Sequence, residues 1–368
     1  MTKEYSTAAT ITALIPAHNE ETLIADAVYG LLRQSVVPDH VIVVADNCAD
    51  GTVSAVEALG ESRVSVFETT DNDHKKAGAL NQALAVLLPT LDDDDVVLVQ
   101  DADSILNKDF VENAAAHLDD DRGLGAVGGT FRAVPCPRDA SPTARFLVHL
   151  QDNEYARYAR DVRRLQGKCL VVTGTAAMFR ASTLRKISNA RIAGTLPSGN
   201  GEGGIYDTTV LTEDNELSFA VMTMGLRIAA PKDCLLVTDA MTSWGALWAQ
   251  RLRWKRGAVE NCVQYGFTRV TAPYWGRQAL SVAGVIVTAA YIGSLVWSLV
   301  VSGAIVILPF WLAVTGIFVL ERAITLKDKG LWRRLLAATM YEIPYDLFLQ
   351  ATHARAYLDS IFKTKKVW

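Results

Sequence analysis

Two aspartates, Asp101 and Asp103, follow directly on the apolar stretch Val96 to Gln100. In extended backbone, positions two apart point to the same side, so both carboxylates can converge on one cation. Two hard oxygen ligands beside a diphosphate suit magnesium or manganese. Acidic pairs are also common in solvated turns, and the nearby run Asp92 to Asp95 reads as one. Two further strings, Thr12 to Glu21 and Val43 to Thr52, each end an apolar run with a polar turn and a helix start. That arrangement suits a nucleotide. In Lys75-Lys76-Ala77-Gly78-Ala79-Leu80-Asn81 a lysine stands just before a helix, where cation and helix dipole can both meet phosphate.

Downstream, Thr212-Glu213-Asp214 opens a helical pattern whose apolar face is Leu217, Ala220, Val221 and Met224, stopping at Gly225. Taken alone, a carboxylate in a first helical turn is an ordinary dipole partner. Gln250-Arg251-Leu252-Arg253-Trp254 follows, near Trp244 and Trp248. Tryptophan and arginine in that setting also suit an interfacial helix at a membrane. Ser198 to Gly204 is too glycine-rich for regular structure and reads either as a mobile loop beside an acceptor site or as a plain surface loop.

The elements that must hold these residues alternate. Thr10 to Ile15, Val41 to Val44, Val64 to Glu68 and Val96 to Val99 read as strands, and Pro16 ends the first. Asn19 is expected to cap a helix with the apolar face Ile24, Ala27, Val28 and Leu31, and Leu80, Ala83, Leu84 and Leu87 make another helix face. Repeated β-then-α units imply a mostly parallel sheet with helices on both faces, whose ligands sit beyond the carboxyl ends of the strands.

Composition bounds the partners. The formal net charge of −4 gives no reason to expect nucleic acid. Five scattered cysteines (48, 136, 169, 234 and 262) lack metal-ligand spacing and read as reduced thiols. Met1 to Thr10 is polar, without an apolar signal sequence, which favours catalysis on the cytosolic side. From Ala279 to Leu320, 42 residues carry no charge and no histidine. As one helix the run would reach about 63 Å, twice a bilayer core, so it is expected to form a transmembrane hairpin turning near Ser302. A buried hairpin of a soluble protein is the alternative. Arg269, Arg277, Arg322, Lys327, Lys329, Arg333 and Arg334 flank the run and none sits at its turn, so both ends should face the cytosol. Leu331 to Phe362 reads as amphipathic interfacial helix or a re-entrant span, and Lys363 to Lys366 would suit anionic head groups. The expected division is therefore a catalytic domain over 1–240, interfacial helices over 241–278, the hairpin over 279–320 and an amphipathic segment over 321–368.

The order of these motifs resembles glycosyltransferase family 2, and within it the membrane-integrated, processive branch of cellulose, chitin-oligosaccharide and hyaluronan synthases. The resemblance spans roughly residues 10 to 260, and the pairing of TED with QxxRW is its most specific part. It implies an α/β fold of the GT-A (nucleotide-diphospho-sugar transferase) type, a UDP-sugar donor, and Mn2+ or Mg2+ on Asp103 with Asp101. Pro16, His18, Glu20 and Asp46 would line the nucleobase and ribose pocket, and Lys76 and Asp101 would meet the donor's diphosphate sugar. Asp214 would be the general base, with Glu213 beside it. Gln250 and Arg253 would cover the diphosphate, and Trp254, Gly174, Thr175 and Glu213 would face the acceptor. Gln151, Glu154 and Tyr155 resemble the family's QxxEY helix, and Arg180 would belong to the acceptor-side strand. The implied product is a β-linkage on a glycan or lipid-linked acceptor at the cytosolic face of the plasma membrane, by a single chain or a homo-oligomer. In departure from the pattern, Ala45 stands where many members carry a second acid, and two spans are thin for exporting a long polymer. Rival readings are a single-sugar transferase for polyprenyl phosphate, a nucleotidyltransferase and a non-catalytic scaffold.

Overall fold

The computed structural model describes residues 9–306, 309–326 and 330–365. Met1 to Ala8, the flanking cations Lys327 and Lys329, and Lys366 lie outside them. The chain divides into two compact units, Met1–Val134 with Asp161–Asp239, and Pro135–Arg160 with Ala240–Trp368. The second unit thus takes in a stretch, 135–160, that the sequence reading groups with the catalytic domain.

The first unit carries ten strands: β1 Ile11–Ala17, β2 His40–Ala45, β3 Val64–Glu68, β4 Val96–Gln100, β5 Ser104–Leu106, β6 Leu124–Gly128, β7 Thr130–Ala133, β8 Ala176–Arg180, β9 Arg227–Ala229 and β10 Leu235–Thr238. Its helices are α1 Ile24–Leu32, α2 Thr52–Glu57, α3 Lys75–Leu87, α4 Phe110–Asp120, α6 Ala181–Ile192 and α7 Glu213–Thr223. The main sheet has the order β3-β2-β1-β4-β8-β6-β9, and β5, β10 and β7 form a smaller one. The first four strands are mutually parallel, as the alternating pattern requires. Strand β8 is inserted antiparallel between β4 and β6. Helices cover both faces, so β1 and β4 are buried along their whole length and read as unbroken apolar runs.

Two local expectations change. The first strand runs through Pro16 to Ala17, because β1 pairs with β4 only as far as Leu14 and the missing N–H of Pro16 faces no β4 partner. Asn19 does not cap α1, which begins five residues later without a side-chain cap. Asn19 instead adopts a positive φ of 58° and accepts a hydrogen bond from the Ala49 N–H (2.8 Å), tying the loop after β1 to the loop after β2. The buried face of α1 is the expected Ile24, Ala27, Val28 and Leu31.

In the second unit, helices α5 Pro142–Arg164 (to residue 160), α8 Trp244–Tyr265, α9 Ala272–Ser302, α10 Pro309–Thr325, α11 Leu331–Ala338 and α12 Ile343–Ile361 carry the structure. Leu147, Leu150, Leu247 and Tyr345 form its buried apolar centre. Helix α9 ends at Ser302 with Gly303 left-handed (φ 67°), where the sequence puts a turn. Among the described residues, α9 alone is long and apolar enough to cross a bilayer, with a mean hydropathy of 2.0 and none of its most apolar stretch buried. Helix α10 has 17 residues, about 26 Å of helix, slightly less than a bilayer core.

A buried ion pair ties α6 to α7. Arg191 and Glu216 meet at 2.7 Å with both side chains fully buried, and Arg191 also donates to the carbonyls of Pro197 and Ile205. The pair therefore anchors the chain leading into Asp214. Removing one partner leaves the other charge buried alone, so Arg191→Met or Glu216→Leu should each cost about 3–5 kcal/mol in chemical denaturation. The double variant should recover much of that loss.

Candidate active site

The carboxyl ends of β1, β2 and β4 surround a cavity of about 250 Å³. Its lining includes Pro16, His18, Glu20, Asp46, Lys76, Asp101 and Asp103, which are the expected donor-side residues of the first unit. The sheet explains why they meet: parallel strands deliver their following loops to one edge.

Each residue is held there by local geometry. The Asp46 carboxylate accepts from Asn72 Nδ2 (2.7 Å), Thr69 Oγ1 (2.9 Å) and Asn47 Nδ2 (3.2 Å). His18 Nδ1 donates to the Asp46 carbonyl at 2.6 Å, which fixes its ring. Gly78 makes room for Asn72, since a Cβ there would come within 2.1 Å of Asn72 Oδ1. Asp101 and Asp103 stand in the turn between β4 and β5, not in extended backbone, and the turn brings both carboxylates to the cavity. Asp103 Oδ1 accepts from Ser104 Oγ (3.0 Å) and Thr238 Oγ1 (3.3 Å).

Lys76, in the first turn of α3, links this cavity to a second group of residues. Its ammonium lies 2.5 Å from Asp101 Oδ1 and 3.3 Å from Glu213 Oε1. Because β8 runs antiparallel to β4, with Ala176 opposite Gln100, the residues before β8 arrive beside the residue after β4. The Thr175 carbonyl accepts the Asp101 N–H (3.2 Å), and the Gly174 N–H donates to Asp214 Oδ2 (3.0 Å). A Cβ at 174 would meet Lys76 Nζ at 2.9 Å and displace the ammonium. Asp214 therefore sits at the start of α7, in contact with a backbone donor and next to the lysine's enclosure.

The electrostatics follow from burial and crowding. Burial pushes the Asp214 carboxyl up to about 6, Glu213 adds to the shift, and Lys76 with the Gly174 and Asn215 N–H groups oppose it. Asp101 rises to about 6 for the same first reason, with Lys76 pulling against burial and Asp103 reinforcing it. Burial works against the charge on Lys76, but Asp101, Glu213 and Asp214 outweigh it and raise its pKa. Asp103 and Glu20 are raised by burial, and then by other carboxylates that include Asp239. Glu20, Asp101 and Asp103, which line one cavity, are hard oxygen donors of the kind a divalent cation takes. Asp101 reaches it only while sharing its oxygens with Lys76.

The sequence reading overlooks several contributors. Asp239 follows β10 without a motif around it. Tyr206 lines the space beside Lys76 and Asp214, and the Asn81 amide grips its peptide at both ends (2.8 Å each). Arg180 does not face the site; buried, it donates to the Leu124 carbonyl (2.7 Å) and steadies the far end of β8. Gly203, in the glycine-rich loop, has φ 76° and its carbonyl accepts from Ser188 Oγ (2.6 Å).

Gln250, Arg253 and Trp254 lie on α8 of the second unit. The buried member of that string is Arg251, which pairs with Glu154 (2.9 Å), donates to Gln250 Oε1 (2.8 Å) and lies 4.4 Å from the Trp254 ring centre. Tyr345 donates to the same Glu154 carboxylate at 2.5 Å. Gln151 exchanges two hydrogen bonds with the Met241 backbone. QxxEY and QxxRW are thus joined through Arg251, while Arg253 is half-buried and Trp254 is 38 % exposed.

Comparison with known proteins agrees with this geometry. Residues 12–188 match the model of the family described as Glycosyl transferase family 2. The chain is 26% identical over 253 residues to the poly-beta-1,6-N-acetyl-D-glucosamine synthase of Staphylococcus aureus (strain COL), covering 68% of this chain and 55% of that protein. It is 27% identical over 253 residues to the probable glycosyltransferase YdaM of Bacillus subtilis (strain 168), covering 67% and 54%. The chain thus spans about half the length of the curated relatives it matches. Among solved structures, the mannosyltransferase PcManGT of Pyrobaculum calidifontis, in complex with GDP-Man and Mn2+, shares the fold with a TM-score of 0.57. That likeness has 22% identity and covers 96% of this chain and 88% of the other.

The raised carboxyl at 214 has a thermodynamic signature. Ionising Asp214 is harder in the folded than in the unfolded chain, so its stabilising share is complete below about pH 4 and is lost as pH rises through about 6. Asparagine has no such loss. Asp214→Asn should therefore melt above the unliganded wild type at pH 8, with the two melting temperatures converging at pH 4.

Proposed function

We propose that the chain is a membrane-attached, metal-dependent inverting glycosyltransferase that moves a hexosyl or N-acetylhexosaminyl group from a UDP-sugar to a glycan or lipid-linked hydroxyl. The observation that carries this reading is Lys76, which joins the donor-side cavity to the Glu213–Asp214 pair through one ammonium. The name of the Staphylococcus aureus relative supports N-acetylglucosamine as the sugar and polysaccharide biosynthesis as the setting.

In this reading the nucleoside lies against Pro16, His18 and Glu20, with Asp46 held rigid for its ribose or base. Bound at Asp101 and Asp103, Mn2+ or Mg2+ would supply positive charge to the departing diphosphate. Lys76 lies at the diphosphate end, its charge maintained by three acids. Asp214 takes the proton from the acceptor hydroxyl as that oxygen bonds to the anomeric carbon, and the bond to the diphosphate breaks with its electron pair leaving on phosphate oxygen. Attack from the rear inverts the carbon, so an α-linked donor gives a β-linkage. Glu213 adjusts Asp214 by proximity, and Gly174 and Thr175 hold the site open on the acceptor side. Trp254, on α8 of the second unit, offers a flat apolar face to a sugar ring.

The membrane part of the proposal rests on α9 and α10, read as a hairpin in the plasma membrane with both ends cytosolic and with α8, α11 and α12 near the interface. Two spans favour a short product or a pore shared by several copies over export through one chain.

The test is nucleotide release from detergent-purified protein with manganese, across a panel of UDP- and GDP-sugars. One UDP-sugar should support turnover, chelation should abolish it, and Asp214→Asn should lower it by about a thousandfold or more while donor binding persists. The wild-type rate should fall tenfold per unit below about pH 6, where Asp214 gains its proton. A variant Asp214→Asn that kept most of its rate would remove Asp214 from the role of base.

A further inference from the structure

On α8, Lys255 and Arg256 directly follow the QxxRW string that contains Arg251, and these three cations stand in unlike surroundings. Arg251 has Glu154 at 2.9 Å, and Arg256 has Glu260 at 2.7 Å. Between them Lys255 is half-buried, and among the described residues it has no carboxylate within ion-pair distance. Its ammonium donates to Ser281 Oγ (2.9 Å) and lies 5.0 Å from the Tyr357 ring centre. Ser281 in turn lies 3.3 Å from His353 Nδ1. A neutral imidazole whose Nδ1 accepts the serine proton carries its own proton on Nε2, and that donor has no partner among the described residues. One turn away on α12, Gln350 Oε1 is buried and also lacks a partner.

We propose that Lys255 and His353, with Ser281 fixing the imidazole beside the ammonium, bind the phosphate group of a membrane lipid. One uncompensated cation next to a free neutral N–H donor matches a phosphate better than it matches a second protein charge, which would meet an acid or arginine already paired. The location selects a lipid. Ser281 is the third residue of the uncharged run that begins at Ala279, so the cluster stands where the apolar length of α9 starts, at head-group level if α9 crosses the bilayer. This placement rests on the membrane reading given above. Burial holds the Lys255 pKa down at about 8, leaving most of its charge at neutral pH. Burial and then Lys255 push His353 down to about 4, which keeps it neutral and a hydrogen-bond donor. A phosphate would restore the missing negative charge beside the lysine. The phosphate could belong to a diester of the bulk bilayer or to a monoester at the head of a lipid-linked acceptor. Only a monoester carrying a proton could also donate to a buried acceptor such as Gln350.

The experiment uses the full chain in detergent with short-chain lipids: dioctanoyl phosphatidylcholine, phosphatidylglycerol and phosphatidic acid. Affinity for the anionic lipids should exceed that for phosphatidylcholine, and Lys255→Gln should weaken it about tenfold, the loss of one charge-assisted contact. Lys255→Arg should retain binding, which separates lost charge from lost folding. Tighter binding of phosphatidic acid would assign the site to a monoester, and equal binding of both anionic lipids would assign it to bilayer head groups. Equal affinity of wild type and Lys255→Gln for every lipid would overturn the proposal. Donor turnover without acceptor, measured in the same preparations, keeps the two readings apart. Turnover without phosphate selectivity sinks this site alone, and selectivity with neither turnover nor binding of any donor sinks the glycosyltransferase reading.

Discussion

One ammonium group organises the candidate site. Lys76 is enclosed by Asp101 from the end of β4 and Glu213 from the start of α7, with Asp214 next in line. Three carboxylates could not be buried together without it, since each would shift toward its neutral form and lose the charge that the chemistry needs. The lysine could not stay ionised there without them. Glycine at 174, the antiparallel entry of β8 and the Arg191–Glu216 pair behind α7 all serve to bring these groups to one point. The arrangement stores negative charge in a water-poor place and leaves it incompletely neutralised, a state suited to receiving a metal-bound diphosphate.

The parallel half of the sheet was plain in the sequence because buried strands flanked by helices must be apolar throughout, and Ile11–Ala17 and Val96–Gln100 are. Most of the cavity residues were legible for a related reason: His18, Glu20, Asp46, Asp101 and Asp103 closely follow the end of such a strand, whereas Pro16 lies within β1 and Lys76 opens α3. Local chemistry was less legible. Asn19 has every feature of a helix cap, yet its side chain serves a neighbouring loop, because the turn after β1 must first meet the turn after β2. The aspartate pair was expected to converge through extended backbone and converges through a turn instead. Asp239, Tyr206 and Asn81 act through tertiary neighbours that no local pattern announces. Within QRLRW, attention falls on Gln250, Arg253 and Trp254, whereas burial falls on Arg251; α-helical spacing alone does not tell which face of α8 will find Glu154.

The second unit is built on different physics. Its apolar centre around Leu147, Leu247 and Tyr345 is small, and much of its order comes from charge. Arg157 and Arg322 share Glu342, Arg333 meets Asp152, and Arg251 meets Glu154 beneath Tyr345. Such networks give geometric specificity more than stability. Against them α9 is unburied along its most apolar stretch, so the unit joins a charge-ordered half to one that avoids water. The unpaired Lys255 stands at the boundary between the two.

The inverted strand β8 also imposes an order in time. Strands β1 to β4 end at residue 100 and are all made before β8 begins at Ala176. Strand β8 must then be inserted beside β4 some 76 residues later, and α7 later still. Until that happens the edge of β4 is open and Lys76 and Asp101 lack their remaining companions. A nascent chain therefore completes the loops after β1, β2 and β4 well before it holds Gly174 and Asp214, and an exposed edge strand persists through the interval.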